Sequence, residues 1–172
     1  MATCQGPGQT APVTPRPVSL RRRIVRARDA THTTLSMQPL RTYIVEDSPV
    51  IRESLIATLE ELTPVSVVGT AEDEATAVQW LGEAANAVDL LIVDIFLKGG
   101  SGLGVLRFAN GLKAGCKRVV LSNYATQDMR RKCLELGADQ VFDKSNDIDA
   151  LILYCSRLTG AEPRLNGATP PA

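Results

Sequence analysis

Between Arg41 and Leu158, short β-prone apolar runs alternate five times with stretches whose apolar residues recur at helical spacing. The first unit opens with Thr42-Tyr43-Ile44-Val45 and turns at Glu46-Asp47-Ser48-Pro49, where Ser48 suits a helix N-cap and Pro49 the first helical position. Ile51, Leu55, Ile56, Leu59 and Leu62 then lie on one helical face up to the break at Thr63-Pro64. The same reading predicts a strand over 66–69, a helix over 74–85 with Ala77, Val78 and Leu81 inward, and a strand over 90–93. Gly99-Gly100-Ser101-Gly102 reads as a flexible loop before a helix from Leu103 to about Lys113. A strand over 119–121, a helix over 127–136 stopped by Gly137, a strand over 140–142 and a helix over 148–158 complete the series.

Such alternation predicts a parallel sheet with helices on both faces, joined by right-handed crossovers. Leu90 to Val93 are apolar at consecutive positions, as in a strand buried on both sides. Five units are too few for a closed eightfold barrel, so the expected fold is α/β, a flavodoxin-like (βα)5 three-layer sandwich with strand order 2-1-3-4-5. Ligands of open sheets gather beyond the carboxyl ends of the strands, near the switch point between the first and third.

Charge divides the chain. Of its 19 basic residues, Arg16, Arg21, Arg22, Arg23, Arg26 and Arg28 precede Met37, against Asp29 alone of the 19 acidic ones. With four prolines among few apolar residues, this predicts a disordered Pro/Arg-rich extension over 1–38, inert in its simplest reading, with Met37 as the functional start. A folded domain is expected over 39–159 and a disordered tail over 160–172. The remainder after the extension is acidic, which argues against direct nucleic-acid binding. No apolar run approaches the ~20 residues that cross a bilayer, so neither a membrane span nor a secretory leader is expected. Cys4, Cys116, Cys133 and Cys155 are scattered and His32 is the only imidazole, a pattern that fits reduced thiols in the cytoplasm rather than zinc or disulfides.

Strand ends carry the chemistry: Glu46 and Asp47 after the first, Asp94 after the third, Ser122 after the fourth and Lys144 after the fifth. Clustered carboxylates repel unless a cation sits among them. Mg2+ takes a few oxygen ligands and keeps several waters, which suits Asp47 and Asp94 as direct ligands and Glu46 through water. Asp94, at the end of the most apolar strand, is the candidate nucleophile, giving an aspartyl phosphate. Lys144 and Ser122 would then neutralise and bind the phosphoryl oxygens.

These residues resemble the response-regulator receiver family across nearly all of 41–158. Tyr43-Ile44-Val45-Glu46-Asp47-Ser48 is similar to the family's acid pair, Leu91-Ile92-Val93-Asp94-Ile95 to its phosphoacceptor strand, and Val120-Leu121-Ser122 to its Thr/Ser position. Gly102 and the Gly137-Ala138-Asp139 turn before Lys144 keep the family's intervals. The resemblance implies the backbone carbonyl of Phe96 as a further Mg2+ ligand. It also implies a histidine kinase or histidine phosphotransfer protein as donor in a two-component phosphorelay, with the domain catalysing its own phosphorylation rather than acting as a conventional enzyme. Output would pass to a target protein or homodimer through the fourth helix, fifth strand and fifth helix, where Arg130, Arg131, Glu135 and Asp149 fall, since the residues after Leu158 are too few for an effector domain.

Three positions depart from the pattern: Lys98 and Ser145 stand where many members have proline, and Val141 where the switch position is often aromatic. Tyr124 or Phe142 would have to serve in that role. Val141 motivates a second reading, a phosphorylation-independent pseudo-receiver acting as an interaction module. A flavodoxin-like redox protein or an aspartate-dependent phosphatase would require a phosphate-cradling first loop or a nucleophile after the first strand, and neither pattern is present.

Overall fold

A computed structural model describes residues 38–112 and 115–160. The elements run β1 (Leu40–Val45), α1 (Pro49–Leu62), β2 (Val65–Ala71), α2 (Glu74–Gly82), β3 (Leu90–Val93), α3 (Gly102–Asn110), β4 (Lys117–Ser122), α4 (Gln127–Glu135), β5 (Gln140–Asp143) and α5 (Ile148–Thr159). All four strand pairings are parallel and the order is β2-β1-β3-β4-β5, the (βα)5 arrangement that the alternation predicts. The expectations for the Pro/Arg-rich extension and the C-terminal tail fall outside the described residues. Among those residues no helix is long and apolar enough to cross a membrane.

The period-two geometry of the strands divides the core into two layers. Tyr43, Val45, Leu91, Val93, Val120 and Val141 point to the face covered by α2, α3 and α4. Ile44, Leu90, Ile92, Val119, Leu121 and Phe142 point to the face covered by α1 and α5. β3 has no exposed residue, which accounts for its uninterrupted apolar sequence.

Several local expectations shift for physical reasons. α2 ends at Gly82 rather than reaching Ala85, because the Asn86 side chain donates to the Trp80 carbonyl at 2.8 Å and closes the helix early. α3 ends at Asn110, where Gly111 takes over as C-cap. Val78 is only half-buried, leaving Ala77 and Leu81 as the inward residues of α2. Ser48 is the N-cap of α1 by position, but its side chain makes no capping bond. Gly137, at φ 96°, supplies the left-handed turn after α4.

At the amino end of the sheet, Arg41 on β1 grips Asp89 with its Nε at 2.9 Å and Nη2 at 2.8 Å. That side-chain hydrogen bond holds the Asp89 carboxyl below its ordinary value, and Asp73, Asp139 and Asp147 are lowered as well. A depressed folded pKa stabilises the fold above the unfolded carboxylate value of about 3.9, and that contribution disappears as pH falls through the folded value. The melting midpoint should therefore drop as pH falls below about 4, and Asp89→Asn should lessen the drop; equal slopes for both proteins in differential scanning calorimetry would contradict this.

Candidate functional site

Strand register brings the predicted residues together. Val45 and Val93 are partners across β1 and β3, so Glu46 and Asp94 leave the sheet side by side. Ser122 pairs with Asp143 across β4 and β5, and the Lys144 N–H donates to the Ser122 carbonyl at 3.2 Å. Glu46, Asp47, Asp94, Phe96, Ser122 and Lys144 all line one cavity of about 210 Å3 at the carboxyl end of the sheet. Ile51, Asn123 and Tyr124 line it too. Ile51 keeps the helical spacing of the α1 core face yet is 37% exposed, because the first turn of α1 projects past the sheet to the cavity mouth.

Within the cavity, Glu46 and Asp94 are buried carboxylates, and Lys144 Nζ lies 2.6 Å from Glu46 Oε2 and 2.6 Å from Asp94 Oδ2. Burial works against the Lys144 ammonium, but its hydrogen bonds to Asp94 and Glu46 outweigh burial and leave its pKa above the ordinary lysine value. Asp47 is less enclosed and accepts the Lys98 backbone N–H at 3.2 Å, with Lys98 Nζ 3.9 Å away. Glu46, Asp47 and Asp94 can each offer an oxygen within 4.8 Å of the others. One buried ammonium, Lys144, and the exposed Lys98 ammonium do not balance three carboxylates, which leaves a negative site lined by oxygen ligands, the chemistry that suits a hard divalent cation.

Backbone and second-layer contacts fix these groups. Arg52 in α1 donates from Nη1 to the Glu46 carbonyl at 2.8 Å and from Nη2 to Glu72 Oε1 at 2.8 Å. The Asp94 N–H donates to the Val45 carbonyl at 2.9 Å. Gly102 lies so close behind Asp94 that a Cβ there would overlap the Asp94 carbonyl oxygen. Ser122 is fully buried, and its hydroxyl oxygen accepts the Tyr124 N–H at 3.5 Å.

Neither candidate aromatic occupies the inward position left by Val141. Phe142 is buried on the opposite face of the sheet beside Tyr154, while Tyr124 is 63% exposed and meets Phe96 edge-to-face at 5.0 Å. Val141 itself is core. Arg130, expected on an outer contact face, is engaged internally: Nε donates to the Ala125 carbonyl at 2.9 Å, Nη1 to the Val141 carbonyl, and Nη2 to Asp147 Oδ2 at 3.1 Å.

A larger cavity, about 420 Å3, opens at the other end of the sheet among Leu81, Val88, Ala109 and Cys116. Of its charged members, Arg41 and Asp89 are paired with each other and Glu83 accepts from the Asn86 side chain at 3.1 Å, while burial pushes the Cys116 thiol up, so it gathers no carboxylate cluster like the one at the carboxyl end.

Residues 42–155 match the family described as response regulator receiver domain. The chain is 29% identical over 119 residues to a protein-glutamate methylesterase/protein-glutamine glutaminase of Myxococcus xanthus, covering 69% of this chain and 34% of that protein. It is 30% identical over 95 residues to the response regulator UvrY of Escherichia coli, covering 55% of this chain and 43% of the relative. The chain thus spans between about a third and a half of the length of these relatives. In fold it is similar to the response regulator domain of Thermotoga maritima CheB, with a TM-score of 0.62 at 21% identity, over 72% of this chain and 98% of the other. On the family match, the sheet order and this carboxyl-end cluster together, the chain belongs to the response-regulator receiver domains of two-component systems.

Proposed function

We propose that this domain is a cytoplasmic phosphoacceptor that takes a phosphoryl group onto Asp94 from a phosphohistidine of a kinase or phosphotransfer protein. The observation that carries the reading is the Asp94 carboxylate, buried at the end of the central strand with the Lys144 ammonium 2.6 Å away. An Asp94 oxygen attacks phosphorus, the bond to the imidazole nitrogen breaks, and the electron pair returns to the ring. Burial beside β1 and Lys144 keeps the carboxylate oriented for in-line attack. Lys144 offsets the charge spreading over the phosphoryl oxygens, and the Ser122 hydroxyl donates to one of them. Asp47, Asp94 and the Phe96 carbonyl would hold Mg2+, with Glu46 acting through water; bound there, the ion neutralises oxygens shared by donor and acceptor.

Output would pass through the face of α4, β5 and α5 to a target protein or a second copy. Arg131, Leu134 and Glu135 of α4 and Asp149 of α5 are among the residues exposed on it. Arg130 would instead act as a joint between α4, β5 and the start of α5. The phosphorylation-independent reading draws only on Val141, while every acidic and basic group of the phosphoacceptor set lines the same cavity.

The test is intact mass after incubation with acetyl phosphate, with and without Mg2+. A metal-dependent, hydroxylamine-labile phosphate adduct is expected, and no adduct under either condition would overturn the reading. Asp47→Ala should weaken Mg2+ binding at least about tenfold by calorimetry while the protein stays folded. Unchanged affinity would remove Asp47 from the ligand set.

A further inference from the structure

Residues 95–101 link Asp94 to α3, carrying Phe96 to the cavity and the Lys98 N–H to Asp47. Their glycines suggest a mobile loop, yet each is closely bounded. Asp73 and Gly99 form a parallel bridge, and the Glu74 N–H donates to the Gly99 carbonyl at 2.9 Å. A Cβ on Gly99 would come within 2.9 Å of Asp73 Cβ. The Glu74 side chain then crosses from the first residue of α2 to the start of α3, where Oε2 accepts the Ser101 N–H at 2.7 Å. Ser101 already uses its own hydroxyl oxygen to cap Leu103 N–H, so the carboxylate takes a backbone donor that this cap leaves free.

The glycines at 100 and 104 make room for that carboxylate. A Cβ on Gly100 would stand 2.6 Å from Glu74 Oε2, and one on Gly104 would overlap Glu74 Oε1. Gly104 lies inside a helix, where glycine is less favourable than alanine; the overlap supplies a physical reason for it. The side chain of Glu74 therefore fits between a loop glycine, Gly100, and a glycine of α3, Gly104, and its own helix is anchored in the core through Ala77 and Leu81. From this anchor the loop runs back to Lys98, whose N–H reaches Asp47.

We infer that Glu74, held in the Gly100–Gly104 cradle, is a positioning residue for phosphoryl transfer: it fixes the loop that presents the Phe96 carbonyl and the Lys98 N–H to the metal side of the site. This rests on the phosphoacceptor reading above. Glu74 touches neither phosphoryl group nor metal; it acts through Ser101 and the loop.

Two readouts test it on the full chain: hydrogen exchange over residues 95–101, and Mg2+ affinity by titration calorimetry. Glu74→Ala should accelerate exchange across the loop and raise the Kd for Mg2+ by about tenfold, the usual effect of losing an outer-layer support. Glu74→Gln keeps an acceptor oxygen and should restore most of both. Gly104→Ala should reproduce the Glu74→Ala defects, because its methyl group displaces the carboxylate. The double variant should be no worse than Glu74→Ala alone, since the methyl group then fills vacated space, and additive losses would overturn the inference. Loop exchange and Mg2+ affinity unchanged in Glu74→Ala would overturn it too. Wild-type protein that takes up no Mg2+ overturns the phosphoacceptor reading and this inference with it, whereas wild-type and Glu74→Ala proteins that bind Mg2+ equally well overturn this inference alone.

Discussion

Asp94→Ala protein treated with acetyl phosphate and Mg2+ should take up no hydroxylamine-labile phosphate, a loss of at least about a hundredfold against the wild type, because the covalent step needs the Asp94 oxygen as its nucleophile. Glu46, which shares Lys144 with Asp94, is itself buried and held at 2.6 Å by it. Removing one member of a buried ion pair usually costs several kcal/mol, since the other charge is stranded. Here Lys144 keeps Glu46 as its partner when Asp94 is gone, and one source of repulsion among three carboxylates goes with it. The variant should therefore remain folded, with an unfolding midpoint close to the wild type. An adduct retained in the variant would move the phosphoacceptor elsewhere, and an unfolded variant would mean that Glu46 alone does not satisfy Lys144.

Gly102→Ala should be the most damaging single methyl group in the domain. Its Cβ would overlap the Asp94 carbonyl oxygen and come within 2.8 Å of the Asp94 carbonyl carbon and 2.9 Å of Ile95 Cα. All three are backbone atoms, so no rotamer change relieves the collision. Overpacking of this kind costs on the order of 3 kcal/mol. Relief requires the main chain at Asp94 to move, so phosphate uptake should fall together with the urea midpoint. Gly111, at the other end of α3, is the control: its nearest neighbour would be the Phe108 carbonyl oxygen at 3.5 Å and its backbone is helical, so Gly111→Ala should leave the midpoint unchanged or slightly raised. Equal midpoints for Gly102→Ala and wild type would show that the turn after Asp94 is looser than these contacts require.

The parallel sheet was legible because it follows from local signals, apolar runs of strand length with helical spacing between them, and its order because five such units suit the flavodoxin-like arrangement. The site residues were legible for a related reason. Each stands at a strand end, and parallel register converts that one-dimensional position into proximity, so Glu46, Asp94 and Lys144 meet without any side-chain detail being known. What stayed hidden depends on partners distant in sequence or on side-chain choices. The early stop of α2 is made by the Asn86 side chain, which no propensity reveals. Gly99 and Gly100 read as flexible because their neighbours Asp73 and Glu74 lie at the start of another helix. Arg130 looks like a surface charge until the Val141 carbonyl and Asp147 are brought beside it. Ile51 fits the core period of α1 and fails to be core only because its turn overhangs the sheet.

The face-to-face contact of Trp80 with Tyr43, ring centroids 4.0 Å apart and planes within 14°, has a practical consequence in spectroscopy. Trp80 is the only tryptophan in the chain, so its emission comes from one place, the seam between β1 and α2 opened by the missing side chain of Gly69. Rings this close exchange excitation energy and give a strong near-ultraviolet dichroism that vanishes when they separate. Burial also pushes the Tyr43 hydroxyl up to about 12, so alkaline titration should separate it from ordinary tyrosine, which ionises near 10. The protein thus carries an optical reporter on the side of the sheet that houses Glu74. A spectral change at Trp80 on adding Mg2+ or acetyl phosphate would report, without any label, a rearrangement at the seam of β1 and α2.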